Sequence, residues 1–155
     1  MVPEGGAKMN LGFYVQTSGD NELNTEIFDF LNTSVENNEV SDASLFYNEV
    51  DFTPKEKKFG SFNSTDLWAF SGTLLVTTLT NLAIASKVVN KINIGYLFDK
   101  TDKDNNLISL IQAGQMFPLI VRNEQEKNEI YRITGKMPHM IQKLNVKEIL
   151  EVFNE

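Results

Sequence analysis

The residues that could do chemistry stand in three polar loops, each of which follows an apolar segment. The first loop runs from Gln16 to Asp20, the second begins at Asp99, and the third begins at Arg122. The apolar segments before them have the length and composition of buried strands. Because ligands of open parallel sheets bind beyond the carboxyl ends of the strands, these loops are the candidate ligand-binding positions.

The first loop, Thr17-Ser18-Gly19-Asp20, precedes a helical pattern. Free backbone N–H groups at a helix start favour anions such as phosphate, and Ser18 and Gly19 would let a ligand come close. The loop matches neither glycine-rich phosphate motif, GxGxxG or GxxxxGK[ST], and Asp20 would repel a phosphate. The alternative interpretation is an ordinary turn in which Asp20 caps the following helix.

The second loop offers carboxylates. Asp99, Asp102 and Asp104 lie close together in the sequence, and one or two carboxylates with ligand oxygens can hold Mg²⁺. Lys100 and Lys103 stand between them, which is typical of a solvated loop. Both interpretations remain open.

In the third loop, Arg122 could clamp a phosphate or a carboxylate with both ends of its guanidinium group, or it could pair with Glu124 or Glu126. The single histidine, His139, follows Pro138 in a short apolar segment. No serine on a nucleophile elbow accompanies it, so we expect a structural role. We therefore predict no catalytic residue and no metal ligand.

The residues predicted to bind a ligand all stand at the ends of predicted strands. They are Gln16, Thr17, Ser18, Gly19, Thr78, Asp99, Arg122 and Asn123. Thr78 belongs to the set, together with Thr77, if the strand order reverses between the first and the third predicted strand.

The elements that must position these residues alternate between strand and helix. Strands are predicted at 10–16, 43–47, 73–78, 92–98, 117–121 and 138–142, and helices at 20–35, 81–90, 107–113, 123–134 and 145–153. This alternation predicts an α/β fold, a single three-layer α/β/α Rossmann-like domain with a mostly parallel, doubly wound sheet of about six strands. Residues 1–9 are expected to be a flexible leader, and residues 10–155 the domain.

Several helix ends carry local signals. Gly114 is predicted to end the helix at 107–113, and Gly135 the helix that begins at Asn123. Asn123 with Glu126 has the spacing of a capping box, and Asn145 repeats this pattern before the last helix. The last helix is predicted to bury Val146, Ile149, Leu150 and Phe153.

Residues 48–64 are predicted to be a long loop at the sheet edge, followed by a single helical turn at 65–70. Long loops in compact domains are often functional. Its aromatic side chains are the predicted contacts with a protein partner, and they are Phe52, Phe59, Phe62 and Trp68. Phe52, Phe59 and Phe62 are alternatively expected to hold the loop against the body of the domain.

Composition limits the possible functions. The 155 residues carry a net charge of −7, whereas a general nucleic-acid binder would present a basic face. No apolar run has the roughly 20 residues of a membrane span. The chain has no cysteine, which excludes disulfides and cysteine-based zinc sites and indicates a reducing cytoplasm, that of the host if the protein is viral.

Two segments resemble a known family. Residues 72–99 (GTLLVTTLTNLAIASKVVNKINIGYLFD) and 117–150 (FPLIVRNEQEKNEIYRITGKMPHMIQKLNVKEIL) resemble the N-terminal Rossmann-like half of GT-B type glycosyltransferases. The Asn-rich, Lys-rich and cysteine-free composition resembles small stand-alone proteins of T4-like phages, especially cyanophages. The family holds its nucleotide-sugar mainly with a C-terminal domain, which we expect to be absent because the chain ends at Glu155. The resemblance thus carries over only the acceptor-side loop, residues 16–20.

Two functions follow as hypotheses. In the first, the protein is non-catalytic and binds a protein partner or a second copy of itself. In the second, it is a glycosyltransferase-like half-enzyme that binds a nucleotide or nucleotide-sugar, with or without Mg²⁺, through Asp99, Arg122 and the Ser18–Gly19 turn, and a second chain could supply the donor half. A receiver-like module fits less well, since Gln16 and Thr17 provide no acidic pair after the first strand. A flavodoxin-like module would need a Ser/Thr-rich phosphate-binding first loop, which residues 17–20 (TSGD) match only in part.

Overall fold

The computed structural model describes residues 9–88, 92–102 and 106–153. The strands are β1 (Asn10–Thr17), β2 (Asp42–Glu49), β3 (Gly60–Asn63), β4 (Gly72–Val76), β5 (Ile92–Leu97), β6 (Leu119–Val121) and β7 (His139–Met140). The helices are α1 (Glu22–Glu36), α2 (Leu79–Ala85), α3 (Leu107–Met116), α4 (Glu124–Thr134) and α5 (Val146–Phe153), with a 3₁₀ helix at Ser64–Ala69. The predicted leader lies, apart from Met9, outside the described residues.

The seven strands of the described residues form one parallel sheet in the order β3-β2-β1-β4-β5-β6-β7. Two strands extend from β1 in one direction, and β4 begins the other direction. The strand order therefore reverses between β1 and β4, as the doubly wound interpretation required. The predicted Rossmann-like α/β fold is confirmed.

The sheet has one strand more than the sequence predicted. β3 lies within residues 48–64, which were predicted to be a loop, and pairs with β2 from Ser44–Gly60 to Tyr47–Asn63. Phe62 in β3 packs on Phe46, with 5.9 Å between the ring centres. The sequence carries little signal for β3 because this short strand lies at the edge and its residues are largely exposed.

Residues 50–59, which we call the strap, join β2 to β3 and lie along α1. The Asn32 side chain donates to the Glu56 carbonyl and accepts from the Lys58 N–H, both at 2.8 Å. Lys58 also pairs with Glu36 at 2.7 Å, and the Phe59 ring packs on Phe28. The strap is thus a fixed segment and not a free loop.

Contacts divide the chain into two compact units. Of the described residues, the first unit comprises 9–74, 88 and 92–93, and the second comprises 75–87, 94–102 and 106–153. The core of the first unit is built by β1, β2 and α1, and its fully buried side chains include Leu11, Phe13, Phe28, Leu31 and Leu45. The core of the second unit includes Leu75, Tyr96, Leu97, Ile120 and Ile149.

Two predicted helix ends were wrong. α2 begins at Leu79, earlier than predicted, because Thr78 caps it, and the predicted helical residues Val89 and Asn90 lie outside the described residues. α3 continues through Gly114 to Met116. A Cβ on Gly114 would lie 3.3 Å from Leu119, so this glycine allows close packing within the second unit and does not end the helix.

The last two helices follow the sequence more closely. α4 begins after Asn123, whose side chain accepts from the Glu126 N–H, and ends at Gly135 in the left-handed conformation, both as predicted. α5 buries Val146 and Ile149 as expected, but Val152 completes the buried face and Leu150 is 37% exposed. Among the helices of the described residues, none is both long enough and apolar enough to cross a membrane.

Candidate functional site

The loop after β1 is closed by the chain's own backbone. Ser18 is buried, and its hydroxyl donates to the Asp51 carbonyl at 3.0 Å and accepts from the Asp51 N–H at 2.8 Å. The Ser18 N–H donates to the Glu49 carbonyl at 2.9 Å. The predicted phosphate-binding serine therefore joins this loop to the segment that follows β2.

The space beside Gly19 is also filled, by a side chain of the first unit. A Cβ at this position would lie 2.7 Å from the Asp51 Cβ and 2.8 Å from its carboxylate oxygen, so the Asp51 side chain lies directly against the glycine. The Gly19 N–H donates to the Thr17 hydroxyl. The buried Asn24 amide donates to the carbonyls of Thr17 and Gly19 at 2.9 and 2.8 Å. The Asp51 carboxylate therefore lies at the position where the sequence suggested a bound phosphate.

The predicted cap of α1 was wrong by one residue. Asn21 is the cap and accepts from the Asn24 N–H at 2.8 Å, whereas the Asp20 carboxylate accepts from the Thr53 hydroxyl. An amide and an aspartate cap equally well by type. In the structure the Asn21 side chain reaches the first turn of α1, whereas the Asp20 side chain contacts Thr53 in the strap.

Gln16 lies at the exposed end of a short chain of hydrogen bonds. The buried Tyr14 hydroxyl donates to the Asn48 side-chain oxygen at 2.7 Å, and the Asn48 amide donates to the Gln16 side-chain oxygen at 2.9 Å. Burial raises the pKa of Tyr14, although its hydrogen bonds with Ser64 and Asn48 lower it. Within the first unit, all four predicted residues from Gln16 to Gly19 thus lie together at the end of β1.

In the second unit, the start of α2 is occupied by a carboxylate. Asp102 is only 9% exposed, and its Oδ2 atom accepts from the Leu79 N–H at 2.8 Å and from the Tyr96 hydroxyl at 3.2 Å. The Thr78 hydroxyl accepts from the Asn81 N–H at 3.1 Å. Burial, followed by the negative charge of Asp102, raises the pKa of Tyr96. Thr78 is thus a helix cap, and Asp102 fills the position that an anionic ligand would take.

Asp99 has a local role in the described structure. Its Oδ1 atom accepts from the N–H of Thr101 at 2.9 Å and from the Thr101 hydroxyl at 2.7 Å, which closes a turn. Its carbonyl accepts from the Asp102 N–H. Asp104, the third carboxylate of this loop, lies outside the described residues. Within those residues, no three His, Asp or Glu side chains are grouped to hold a metal ion.

Arg122 is engaged with the backbone after β7. Its Nε atom donates to the Ile141 carbonyl at 2.9 Å, and a terminal nitrogen donates to the Gln142 carbonyl at 2.8 Å. Its backbone N–H donates to the Glu126 carboxylate at 2.9 Å. The guanidinium group therefore fixes the segment after β7 to the end of β6, and Asn123 is used as a helix cap.

The four predicted aromatic contacts differ in exposure. Phe52 is 79% exposed, and Trp68 and Phe62 are about half exposed. Phe59 is 7% exposed and packs on Phe28, so it anchors the strap. The first three side chains belong to the accessible surface of the first unit.

Sequence reasoning missed a groove in the second unit. It has a volume of about 690 Å³ and lies between α2 and α3. Both helices contribute to its walls, through Leu79, Leu82 and Ile84 on one side and Ser109, Gln112 and Met116 on the other. The sequence carried no local signal for this groove, because its walls come from two helices that a strand separates in the chain.

Comparisons with protein-family models, with curated proteins and with solved structures found no match to this chain.

Proposed function

We propose that this protein acts by binding another protein chain, and that it has no sugar-transfer activity. The observation that carries the proposal is that the predicted ligand loops are closed by hydrogen bonds within their own units. Ser18 is paired with Asp51, Asp102 accepts from the Leu79 N–H at the start of α2, and Arg122 donates to backbone carbonyls.

Charge supports the same proposal. A nucleotide-sugar carries a diphosphate, which needs cations or free N–H groups around it. In the first unit, Asp51 lies against Gly19 and Asp20 is close by in the loop. In the second unit, Asp102 already accepts from the first N–H of α2. Carboxylates at these positions would repel a phosphate.

The origin and the location of the protein are part of this proposal. The resemblance to the N-terminal half of GT-B type glycosyltransferases, in a small phage protein, remains a prediction. The cysteine-free sequence supports a cytoplasmic location. The net charge of −7 argues against general nucleic-acid binding.

A thermal-shift panel of nucleotides and nucleotide-sugars, with and without Mg²⁺, tests the proposal. We expect the melting temperature to stay unchanged within about 1 °C. A specific ligand at a hundredfold excess over its Kd would instead add about 2.7 kcal/mol, which corresponds to several degrees for a chain of this size. A shift of that size, lost in Arg122→Ala or Asp99→Ala but kept in the control Arg132→Ala, would overturn the proposal.

A further inference from the structure

Two large apolar side chains are exposed directly after β2. Val50 is 77% exposed and Phe52 is 79% exposed, and no other large apolar side chain of the described residues is as exposed. A single exposed apolar side chain is common on protein surfaces, whereas grouped ones mark interaction sites. The pair is therefore a candidate contact surface of the first unit.

The backbone that carries these two side chains is fixed by hydrogen bonds. Before Val50, the Glu49 carbonyl accepts from the Ser18 N–H at 2.9 Å. At the next position, the N–H and the carbonyl of Asp51 both bond to the Ser18 hydroxyl, at 2.8 and 3.0 Å. The Phe52 N–H donates to the Asp51 carboxylate at 2.8 Å. Side chains on a fixed backbone lose less conformational entropy on binding than those of a mobile loop, so this segment is suited to hold a partner.

Acidic residues accompany the two apolar residues. Glu49 and Asp51 are their neighbours in the chain. The hydrogen bond from the Thr53 hydroxyl holds Asp20 beside the strap, and Glu22 begins α1 two residues later. We call the surface formed by these exposed residues the β2-end patch, and its members are Asp20, Glu22, Glu49, Val50, Asp51 and Phe52.

The lysines of the strap do not neutralise this patch. Lys55 pairs with Asp29 at 2.5 Å and Lys58 pairs with Glu36 at 2.7 Å, and Lys57 lies over an aromatic ring of α1. In the part of the chain that the structure describes, no ion pair involves a carboxylate of the patch. The β2-end patch therefore keeps a local excess of negative charge around two exposed apolar side chains.

We infer that the β2-end patch binds a basic segment of another protein. The inference rests on the proposed function and names the chemistry of its partner. Arg or Lys side chains of the segment pair with the carboxylates of the patch, and an apolar side chain packs on Val50 and Phe52. An arginine can also stack on the exposed Phe52 ring while it pairs with a carboxylate.

The charge of the patch selects this partner among the alternatives. An acidic protein, a nucleic acid or an anionic membrane surface would place negative charge against the patch and be repelled. A second copy in a two-fold interface would place the same four carboxylates opposite each other. A purely apolar partner would remove the carboxylates from water without giving them a counter-charge. A basic segment with an apolar side chain satisfies both parts of the patch.

Selection of random 12-residue peptides on the immobilised full chain, in 150 mM NaCl, tests the inference without assuming a partner. We expect the enriched peptides to carry a net positive charge and at least one large apolar residue. Enriched peptides that are neutral or acidic overturn the inference, as does the absence of any enriched peptide. Neutral or acidic peptides would leave the proposed function standing, because a nucleotide-dependent thermal shift is what would overturn that function.

Fluorescence anisotropy with the most enriched peptide then locates the site. We expect Phe52→Ala to raise the Kd at least about tenfold and Glu49→Gln about threefold, because the first removes the aromatic contact and the second one carboxylate. Circular dichroism verifies that each variant is folded.

Two matched controls lie outside the patch. Ile108→Ala removes a side chain that is 70% exposed in the second unit, and Glu39→Gln removes an exposed carboxylate beyond the end of α1. Both variants should keep the wild-type Kd. A peptide that binds Phe52→Ala as tightly as the wild type, or that responds equally to Glu39→Gln and Glu49→Gln, is attracted by acidic charge in general and overturns the inference.

Discussion

Asp102 joins three parts of the second unit through one buried carboxylate. It accepts from Tyr96 in β5 and from Leu79 at the start of α2, while its own N–H closes the turn with Asp99. Hydrogen bonds to charged groups contribute about 1.5–3 kcal/mol each when their donors are removed from water. This residue therefore stabilises the unit and leaves no free N–H group at the Leu79 position.

We expect Asp102→Ala to lower the free energy of unfolding by about 3 kcal/mol, because the buried Leu79 N–H and the Tyr96 hydroxyl both lose their acceptor. Asp102→Asn keeps an acceptor oxygen and should cost about 1 kcal/mol. Urea unfolding monitored by circular dichroism measures both. If both variants lower the free energy of unfolding by the same amount, the loss does not come from the missing acceptor oxygen.

Tyr96 should make the protein sensitive to high pH. Its folded-state pKa lies above the ordinary value of 10.0 because of burial and the charge of Asp102. Above pH 10 the unfolded chain releases this proton while the folded chain keeps it, so the free energy of unfolding falls by up to about 1.4 kcal/mol per pH unit. The stabilisation from the raised pKa is fully present below pH 10 and is lost above it.

We expect Tyr96→Phe to be less stable than the wild type at pH 8 but to lose stability more slowly between pH 10 and 11. Urea unfolding at these pH values measures the two slopes. Tyr131→Phe removes a half-exposed phenol and serves as the substitution control. An unchanged slope in Tyr96→Phe would assign the alkaline loss to other groups.

At the scale of elements, the strap and the start of β4 depend on single residues. The strap lies along α1 through the two hydrogen bonds of Asn32 and the exposed ion pair of Lys58 with Glu36. Exposed ion pairs contribute between 0 and about 1 kcal/mol and weaken with salt. The Asn32 side chain, which hydrogen-bonds the Glu56 carbonyl and the Lys58 N–H, is therefore the stronger anchor of the strap.

We expect Asn32→Ala to lower the free energy of strap opening by about 1–2 kcal/mol, which corresponds to a 5- to 30-fold faster amide exchange at residues 55–58. Hydrogen exchange with mass spectrometry measures the change. Asn128→Ala, at an exposed position of α4, is the matched control. Exchange in the strap that remains at the wild-type rate would contradict this role of Asn32.

Two glycines with positive φ should differ in their tolerance of a side chain. Gly72 begins β4 with φ of +137°, and a Cβ there would lie 2.5 Å from the Asn10 carbonyl oxygen. Gly135 has φ of +74° and no atom within 4 Å of such a Cβ. We expect Gly72→Ala to cost more than about 2 kcal/mol and Gly135→Ala about 1 kcal/mol. Thermal unfolding of both variants decides whether the carbonyl contact or the backbone angle alone sets the cost.

For the whole molecule, the main physical fact is its acidity. A net charge of −7 keeps copies apart through long-range repulsion, which salt screens over a Debye length that falls from about 30 Å at 0.01 M to about 3 Å at 1 M. The same like charges also repel one another within the folded chain, which lowers the free energy of unfolding.

We expect the free energy of unfolding to rise when NaCl is raised from 20 to 500 mM, because screening weakens the repulsion between like charges of the folded chain. Urea unfolding at both salt concentrations measures the change. A free energy of unfolding that falls with salt would show that attraction between opposite charges outweighs this repulsion.

The sequence by itself determined those features that depend on neighbours a few residues apart. α4 was predicted from Asn123 and Glu126 at its start and Gly135 at its end, since a cap acts over three or four residues. The strands that are apolar on both faces predicted a parallel sheet with helices packed on each side, because such a strand is recognised from its own few residues. The strand-end loops were located correctly, because the carboxyl ends of predicted strands can be read from the sequence.

Only the tertiary structure decided what fills those loops. Ser18 pairs with Asp51 across 33 residues, and Leu79 donates to Asp102 across 23 residues. β3 and the groove between α2 and α3 likewise depend on elements that are distant in the chain. Such contacts form only when whole elements dock, so no local propensity encodes them. The same loops therefore suggested a phosphate site in the sequence and contain the chain's own carboxylates in the fold.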